Sequence, residues 1–280
     1  MKILIYTAMW ERHQIANIFS IGIKRFINDA PSNIECDVLA VCSTKEAIEI
    51  CKKHEFHYIE ADNKPLGKKW NKGLNYAINK IDFDYVLIMG DDDLISSEAW
   101  TYYKHYLDAN IDYFGFNSIY FYDTISKNCL NFKYKEKYEH KLIGCGRMIS
   151  RKAIVKAGYF TRINMLVTHG LMKKDSTIDV PTFQAIYLIG MGKSKLIQDI
   201  GFHLWNNIQN TGLDNESEMN LLMIGVTPIA IKTDKPLMVD LKTEFNIWKF
   251  DTYNKLSNQS EFKEVDFLSK KELKLINEIK

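Results

Sequence analysis

The stretch Tyr85-Val-Leu-Ile-Met-Gly-Asp-Asp-Asp-Leu-Ile-Ser-Ser97 constrains the fold more than any other part of the chain. Tyr85 to Met89 are apolar and partly β-branched, which predicts a short strand buried on both faces. The strand ends in Gly90 and then ejects three carboxylates, Asp91, Asp92 and Asp93. Like charges this close repel, and beside a low-dielectric sheet they push each other's pKa upward. Exposure to water or a bound divalent cation relieves the conflict. A solvated acidic turn ahead of the helix start at Ser96-Ser97-Glu98 is one reading. The carboxyl edge of a central strand is where open α/β sheets bind ligands, which favours a site. Hard oxygen ligands there suit Mg²⁺ or Mn²⁺, and those ions suit phosphates.

The flanking sequence supports such a sheet. Lys2 to Tyr6 predicts a first strand, Ile15 to Ile27 a helix, Cys36 to Val41 a strand, Thr44 to His54 a helix capped by Ser43 or Thr44, and Phe56 to Ile59 a third strand. This β-α-β-α-β order is that of a doubly wound sheet. Asp62 to Gly73 is polar, turn-rich and basic, and predicts a loop running into a helix over Leu74 to Asn79. A helix follows from Ser97 to Leu107, and then one aromatic-rich strand from Ile111 to Tyr122. Asp123 to Lys141 reads as a hairpin or long excursion, Leu142 to Ile149 as a strand, and Ser150 to Ala157 as a capped helix. Further on, the pattern predicts a helix over Pro181 to Leu188 and strands at Lys195 to Ile200, Ile229 to Lys232 and Met238 to Leu241. An amphipathic helix is expected over Phe262 to Ile279.

At 280 residues the chain accommodates one large α/β domain, or one domain and an appendage. The expected division is residues 1–200 as a catalytic domain and 201–280 as a C-terminal extension. A net charge of +2 gives no global field that would call for nucleic acid or a membrane surface. No run approaches the ~20 apolar residues of a membrane span, and the first residues enter a strand pattern without a signal-peptide cleavage site. Five cysteines, with no Cys-x-x-Cys, argue against zinc and against a disulfide framework. A reducing cytoplasm is the expected setting.

Four segments in order resemble the family-2 type of nucleotide-sugar glycosyltransferase, whose fold is GT-A, a Rossmann-like mixed sheet flanked by helices. The first is the opening strand through Thr7 with Glu11-Arg12 after it. The second is Asn63-Lys-Pro-Leu-Gly67 with Trp70-Asn71-Lys72-Gly73, where Trp70 stands at the family's usual arginine. Gly90-Asp91-Asp92-Asp93 is similar to the Asp-x-Asp motif, and Gly144-x-Gly146-Arg147 through Gly158-Tyr-Phe160 is similar to the acceptor-side strand and helix. The match covers roughly residues 1–200.

The resemblance implies metal-dependent transfer of a sugar from a nucleotide-sugar donor to an acceptor hydroxyl, with inversion expected. It implies Mn²⁺ or Mg²⁺ held by Asp91 and Asp93, with His203 as a third ligand. Thr7, Arg12, Asp62, Lys69, Asn71, Asp91 and Asp92 would meet the donor. The family's catalytic Glu-Asp pair is absent. Asp179 takes the place of the base, with Asp175 as the alternative, and helix capping is the competing role for both. The acceptor is open between a glycan, a lipid-linked sugar and a hydroxymethylated base in DNA. The last follows from lysines interleaved with aromatics in Lys133 to Lys141 and from a lysine-, asparagine- and isoleucine-rich composition resembling phage proteins. Two other classes compete: a two-metal nucleotidyl-transfer enzyme and a non-catalytic sugar- or nucleotide-binding module.

Overall fold

A computed structural model describes residues 1–64, 66–134, 140–157, 225–244, 246, 250 and 265–279. The expected helix at 181–188, the expected strand at 195–200, and Asp175, Asp179 and His203 lie outside the described residues. The chain divides into two compact units. The first comprises Met1–Glu60, Asp82–Ser150 and Pro228–Lys280; the second comprises Ala61–Ile81 and Arg151–Thr227.

The first unit is a mixed α/β fold, as the sequence predicts. Its elements are β1 (Lys2–Met9), α1 (His13–Asn28), β2 (Glu35–Cys42), α2 (Lys45–Lys53), β3 (His57–Glu60), β4 (Tyr85–Ile88), β5 (Asp93–Ile95) and α4 (Ala99–Asp108). They continue with β6 (Tyr113–Phe116), β7 (Ser118–Asp123), β8 (Cys129–Lys133), β9 (Arg147–Ser150), β10 (Ile229–Ile231), β11 (Met238–Lys242) and a C-terminal helix, Lys270–Asn277. Seven strands form one sheet in the order β10-β6-β9-β4-β1-β2-β3. The run β4-β1-β2-β3 is parallel, and β9 lies antiparallel between β4 and β6. A second sheet has the order β5-β11-β7-β8.

Helix α1 explains why both sheets share one unit. Its 3.6-residue spacing puts Ala16, Phe19, Ile23 and Phe26 into the core of the large sheet, with Ile3, Ile5, Trp100 and Tyr103. Ile15 and Ile18, on the adjoining stripe, enter a second cluster with Leu94, Val239, Leu241 and Ile276. Phe26 stacks on Trp100 with ring centroids 4.3 Å apart, and the indole nitrogen donates to the Phe26 carbonyl at 2.8 Å.

Two expectations are corrected here. The aromatic run Ile111 to Tyr122 is not one strand: it breaks at buried Asn117 into β6 and β7, which belong to different sheets. Every residue from Tyr113 to Phe121 is buried, so no exposed position marks the break. The C-terminal helix is shorter than predicted; it begins after Ser269, whose side chain and Glu272 form a reciprocal capping box.

The second unit contributes α3 (Leu66–Lys80) and α5 (Arg151–Ala157). Arg151 ties them together, donating to the carbonyls of Ile78 at 2.7 Å and Ile81 at 3.4 Å. The basic loop expected through Gly73 is helical from Leu66 onward. Trp70, Leu74 and Ala77, all buried, continue one helical stripe through glycines that read as loop punctuation.

No helix among the described residues is long and apolar enough to cross a membrane. All five cysteines are free thiols.

Candidate metal and donor site

The site is built at the carboxyl end of β4. Met89 continues the ladder, its N–H donating to the Tyr6 carbonyl at 3.0 Å, and Gly90 then turns the chain into β5. The Gly90 N–H donates to Asp93 Oδ2 at 2.7 Å. A Cβ on Gly90 would lie 2.6 Å from both Asp92 Oδ1 and Asp93 Oδ2, so only glycine lets the two carboxylates fold back over the turn. The turn is not solvated: Asp91 is 2% exposed and Asp93 6%.

The second sheet supplies the partner. β11 runs antiparallel to β5 and sets Asp240 opposite Asp93. The Leu241 N–H donates to the Asp92 carbonyl at 2.8 Å, locking the register. Asp92, Asp93 and Asp240 each present an oxygen within 4.8 Å of the others. Asp240 Oδ2 accepts from Lys242 Nζ at 2.5 Å, whereas its Oδ1 is buried with no hydrogen-bond partner among the described residues. Leaving such an atom unmade costs about 1–3 kcal/mol, more when it is charged. Three hard oxygens converging in this way fit a divalent cation of the Mg²⁺ or Mn²⁺ type.

Cationic side chains border the cluster. Glu11, at a φ of +42°, turns the chain after β1. That turn carries Arg12 into contact with both Asp91 Oδ1 and Asp92 Oδ2. Asn246 Nδ2 also donates to Asp92 Oδ2, at 2.7 Å, and its own Oδ1 is fixed by the Thr243 N–H at 2.7 Å.

These neighbours drive the carboxyls apart in acidity. Burial pushes Asp93 well above the usual carboxylate range, and the Asp92 and Asp240 charges push it further. Burial likewise lifts Asp240, which Lys242 opposes and Asp92 reinforces, to about 6. Burial works against the Asp92 charge too, but Arg12 and Lys242 outweigh it and hold Asp92 below its ordinary value.

The structure sorts the expected residues. Asp92 and Asp93 join the three-oxygen cluster; the Asp91 carboxylate faces Arg12 instead. Thr7 is buried on β1, its hydroxyl without a partner among the described residues. Asp62, Lys69 and Asn71 belong to the second unit, where Asp62 is exposed and Lys69 donates to Asn63 Oδ1 at 3.2 Å. Asp240, Lys242 and Asn246 escaped the sequence reading. A signal was present: Met-Val-Asp-Leu-Lys places two charges in an apolar strand at a spacing of two, on one face.

No family model matches the chain, and no curated protein matches it. Solved structures do. TarS 1-349 of S. aureus, in complex with UDP-GlcNAc, is 13% identical with a TM-score of 0.46, covering 88% of this chain and 60% of that one. Mannosyltransferase PcManGT of Pyrobaculum calidifontis, in complex with GDP-Man and Mn²⁺, is 12% identical with a TM-score of 0.46, covering 86% and 56%. The bifunctional IspDF of Campylobacter jejuni is 12% identical with a TM-score of 0.37, covering 56% and 43%. The chain spans less than two thirds of the length of each.

Proposed function

We propose that the chain is a metal-dependent glycosyltransferase of GT-A type, transferring a sugar from a nucleotide-sugar donor to an acceptor hydroxyl with inversion. The observation that carries this reading is the convergence of Asp92, Asp93 and Asp240 at the carboxyl end of β4, bordered by Arg12 and Lys242. A buried cluster of hard oxygens at a sheet's carboxyl edge suits a divalent cation and, through it, a diphosphate. When bound, the cation supplies charge neutralisation for the departing nucleoside diphosphate.

The chain's own residues prepare that position. Asp92, Asp93 and Asp240 hold the cation, Mn²⁺ or Mg²⁺. Arg12 orients Asp91 and Asp92 and offsets their charge. The Thr7 hydroxyl, buried at the neighbouring strand, offers a hydrogen bond to the nucleotide. Asp62, Lys69 and Asn71 are further candidates for contact with the donor, and Asp179 or Asp175 for taking the acceptor proton. His203 is a further candidate ligand. The acceptor is a glycan, a lipid-linked sugar or a modified DNA base.

The test is a panel of nucleotide sugars with Mn²⁺, reading nucleoside diphosphate release with and without hydroxymethylated duplex DNA. Release from one donor, lost in Asp93→Asn with the fold retained, supports the reading. Stimulation by DNA selects that acceptor, and release without stimulation directs the search to glycans and lipids. Metal-dependent cleavage of nucleic acid instead overturns the reading in favour of nucleotidyl chemistry. No release and no donor binding by calorimetry leave a non-catalytic module.

A further inference from the structure

The Lys242 side chain is 6% exposed and its ammonium meets a carboxylate. It shares a face of β11 with Asp240, two residues earlier, and its Nζ lies 2.5 Å from Asp240 Oδ2. The ammonium also sits over the Phe121 ring, 5.0 Å from the centroid. Phe121 belongs to β7 and is the register partner of Asp240 in the parallel β7–β11 pair. The Lys242 backbone is fixed as well, because its carbonyl accepts from the Thr124 N–H at 3.0 Å and the Thr124 hydroxyl at 2.9 Å. Strand, ring and carbonyl thus hold the ammonium where it can reach one oxygen of Asp240.

A carboxylate rotates about its last bond and offers either oxygen, or both. Engaging Oδ2 with a buried ammonium leaves Oδ1, which is buried and has no hydrogen-bond partner among the described residues.

We propose that Lys242 is a positioning residue for the metal site: it fixes Asp240 so that Oδ1 alone is presented to the cation. This rests on the reading of Asp92, Asp93 and Asp240 as the cation's ligands. Partners of this kind, which touch the ligand and not the ion, govern metal affinity through ligand orientation.

The experiment is a Mn²⁺ titration of the whole chain, followed by electron paramagnetic resonance and by calorimetry, without donor or acceptor. Wild type is expected to bind one Mn²⁺. Lys242→Met is expected to bind it about 10–100-fold more weakly, with the apo protein still folded by circular dichroism. Lys242→Arg, which restores a donor over the ring, is expected to recover most of the affinity. Phe121→Leu removes the ring and keeps the lysine, and is expected to weaken Mn²⁺ by a few fold. It serves as the test should Lys242→Met fail to fold. Lys242→Met binding Mn²⁺ as tightly as wild type, or more tightly, overturns the positioning role while the site stands. Wild type binding no Mn²⁺ overturns the site itself, and the role with it.

Discussion

Asp93 on β5 and Asp240 on β11 are direct partners across an antiparallel pair, so a turn from the first half of the chain and a strand from its last quarter meet in one carboxylate cluster. Three consecutive aspartates do not make this cluster by themselves. It forms because a strand from late in the sequence is inserted between β5 and β7.

The Gly90 turn is therefore the most sensitive backbone position of the site. Gly90→Ala places a methyl 2.6 Å from two carboxylate oxygens. Relief requires the carboxylates to move, at a cost of about 1–3 kcal/mol typical of overpacking. The expected outcome is a folded protein with a lowered urea midpoint and Mn²⁺ binding lost, read by denaturation and by paramagnetic resonance on one sample.

Arg12 is expected to matter to the empty protein as much as to the loaded one. Arg12→Met removes the guanidinium that contacts Asp91, which is 2% exposed, and Asp92. Breaking a buried pair from one side costs about 3–5 kcal/mol. The loss should shrink when Asp91→Asn is added, since one fewer buried charge then faces the missing guanidinium. Equal destabilisation of the single and double variants, measured by urea unfolding, would show that the pair is not what Arg12 contributes.

The raised carboxyls give the apo protein a pH signature with a definite sign. Asp240 titrates near 6 in the fold against an ordinary 3.8, and Asp93 is raised in the same direction. In this window the native state binds more protons than the unfolded chain. Stability should therefore rise as pH falls from about 6 toward 4, by about 1–3 kcal/mol. Asp92 has the opposite sign: its contribution is present above its ordinary value and is lost as pH falls below it. The expected maximum lies between those ranges. Urea midpoints measured from pH 8 to pH 4 check this, and Asp240→Asn should flatten the slope between about 6 and 4.

The C-terminal helix Lys270–Asn277 should prove essential to the same sheet. Glu272, fully buried, accepts from Arg25 at 3.0 Å, and Arg25 also donates to the Ile95 carbonyl of β5 at 3.1 Å. Glu272→Ala leaves the partly exposed arginine unpaired, opens space beside Gly22, and removes half of the capping box. A destabilisation of about 3 kcal/mol is expected, together with faster amide exchange in β5. Unchanged exchange there would mean that the helix does not brace the strand.

How much of this was legible before the structure depends on the kind of signal. The parallel strands β1, β2 and β4 carry near-continuous apolar runs, and α1 and α2 show clean helical spacing, so the large sheet could be read directly. The Asp91–Asp93 turn announced itself by charge at a strand end. The second sheet did not, because β5 has only three residues and β6 runs into β7 with one buried asparagine between them. Two charges in an apolar strand mark Asp240 and Lys242 as unusual, but the pairing of Asp240 with Asp93 joins distant strands, which local periodicity cannot encode. Trp70 was misread for the opposite reason: Gly67 and Gly73 signal a loop locally, whereas the buried stripe through Leu74 and Ala77 makes a helix.

The late position of β11 also bears on how the protein is made. A chain emerging from the ribosome presents β1 to β4, and then the three aspartates, well before Met238 to Lys242 have been synthesised. Until that strand arrives, β5 lacks the one strand it pairs with among the described residues, and three carboxylates have neither Asp240 opposite them nor Lys242 beside them. The carboxylate cluster is consequently completed late in synthesis, and nascent chains halted short of residue 238 are expected to be unable to hold a divalent ion however well their first four strands have folded.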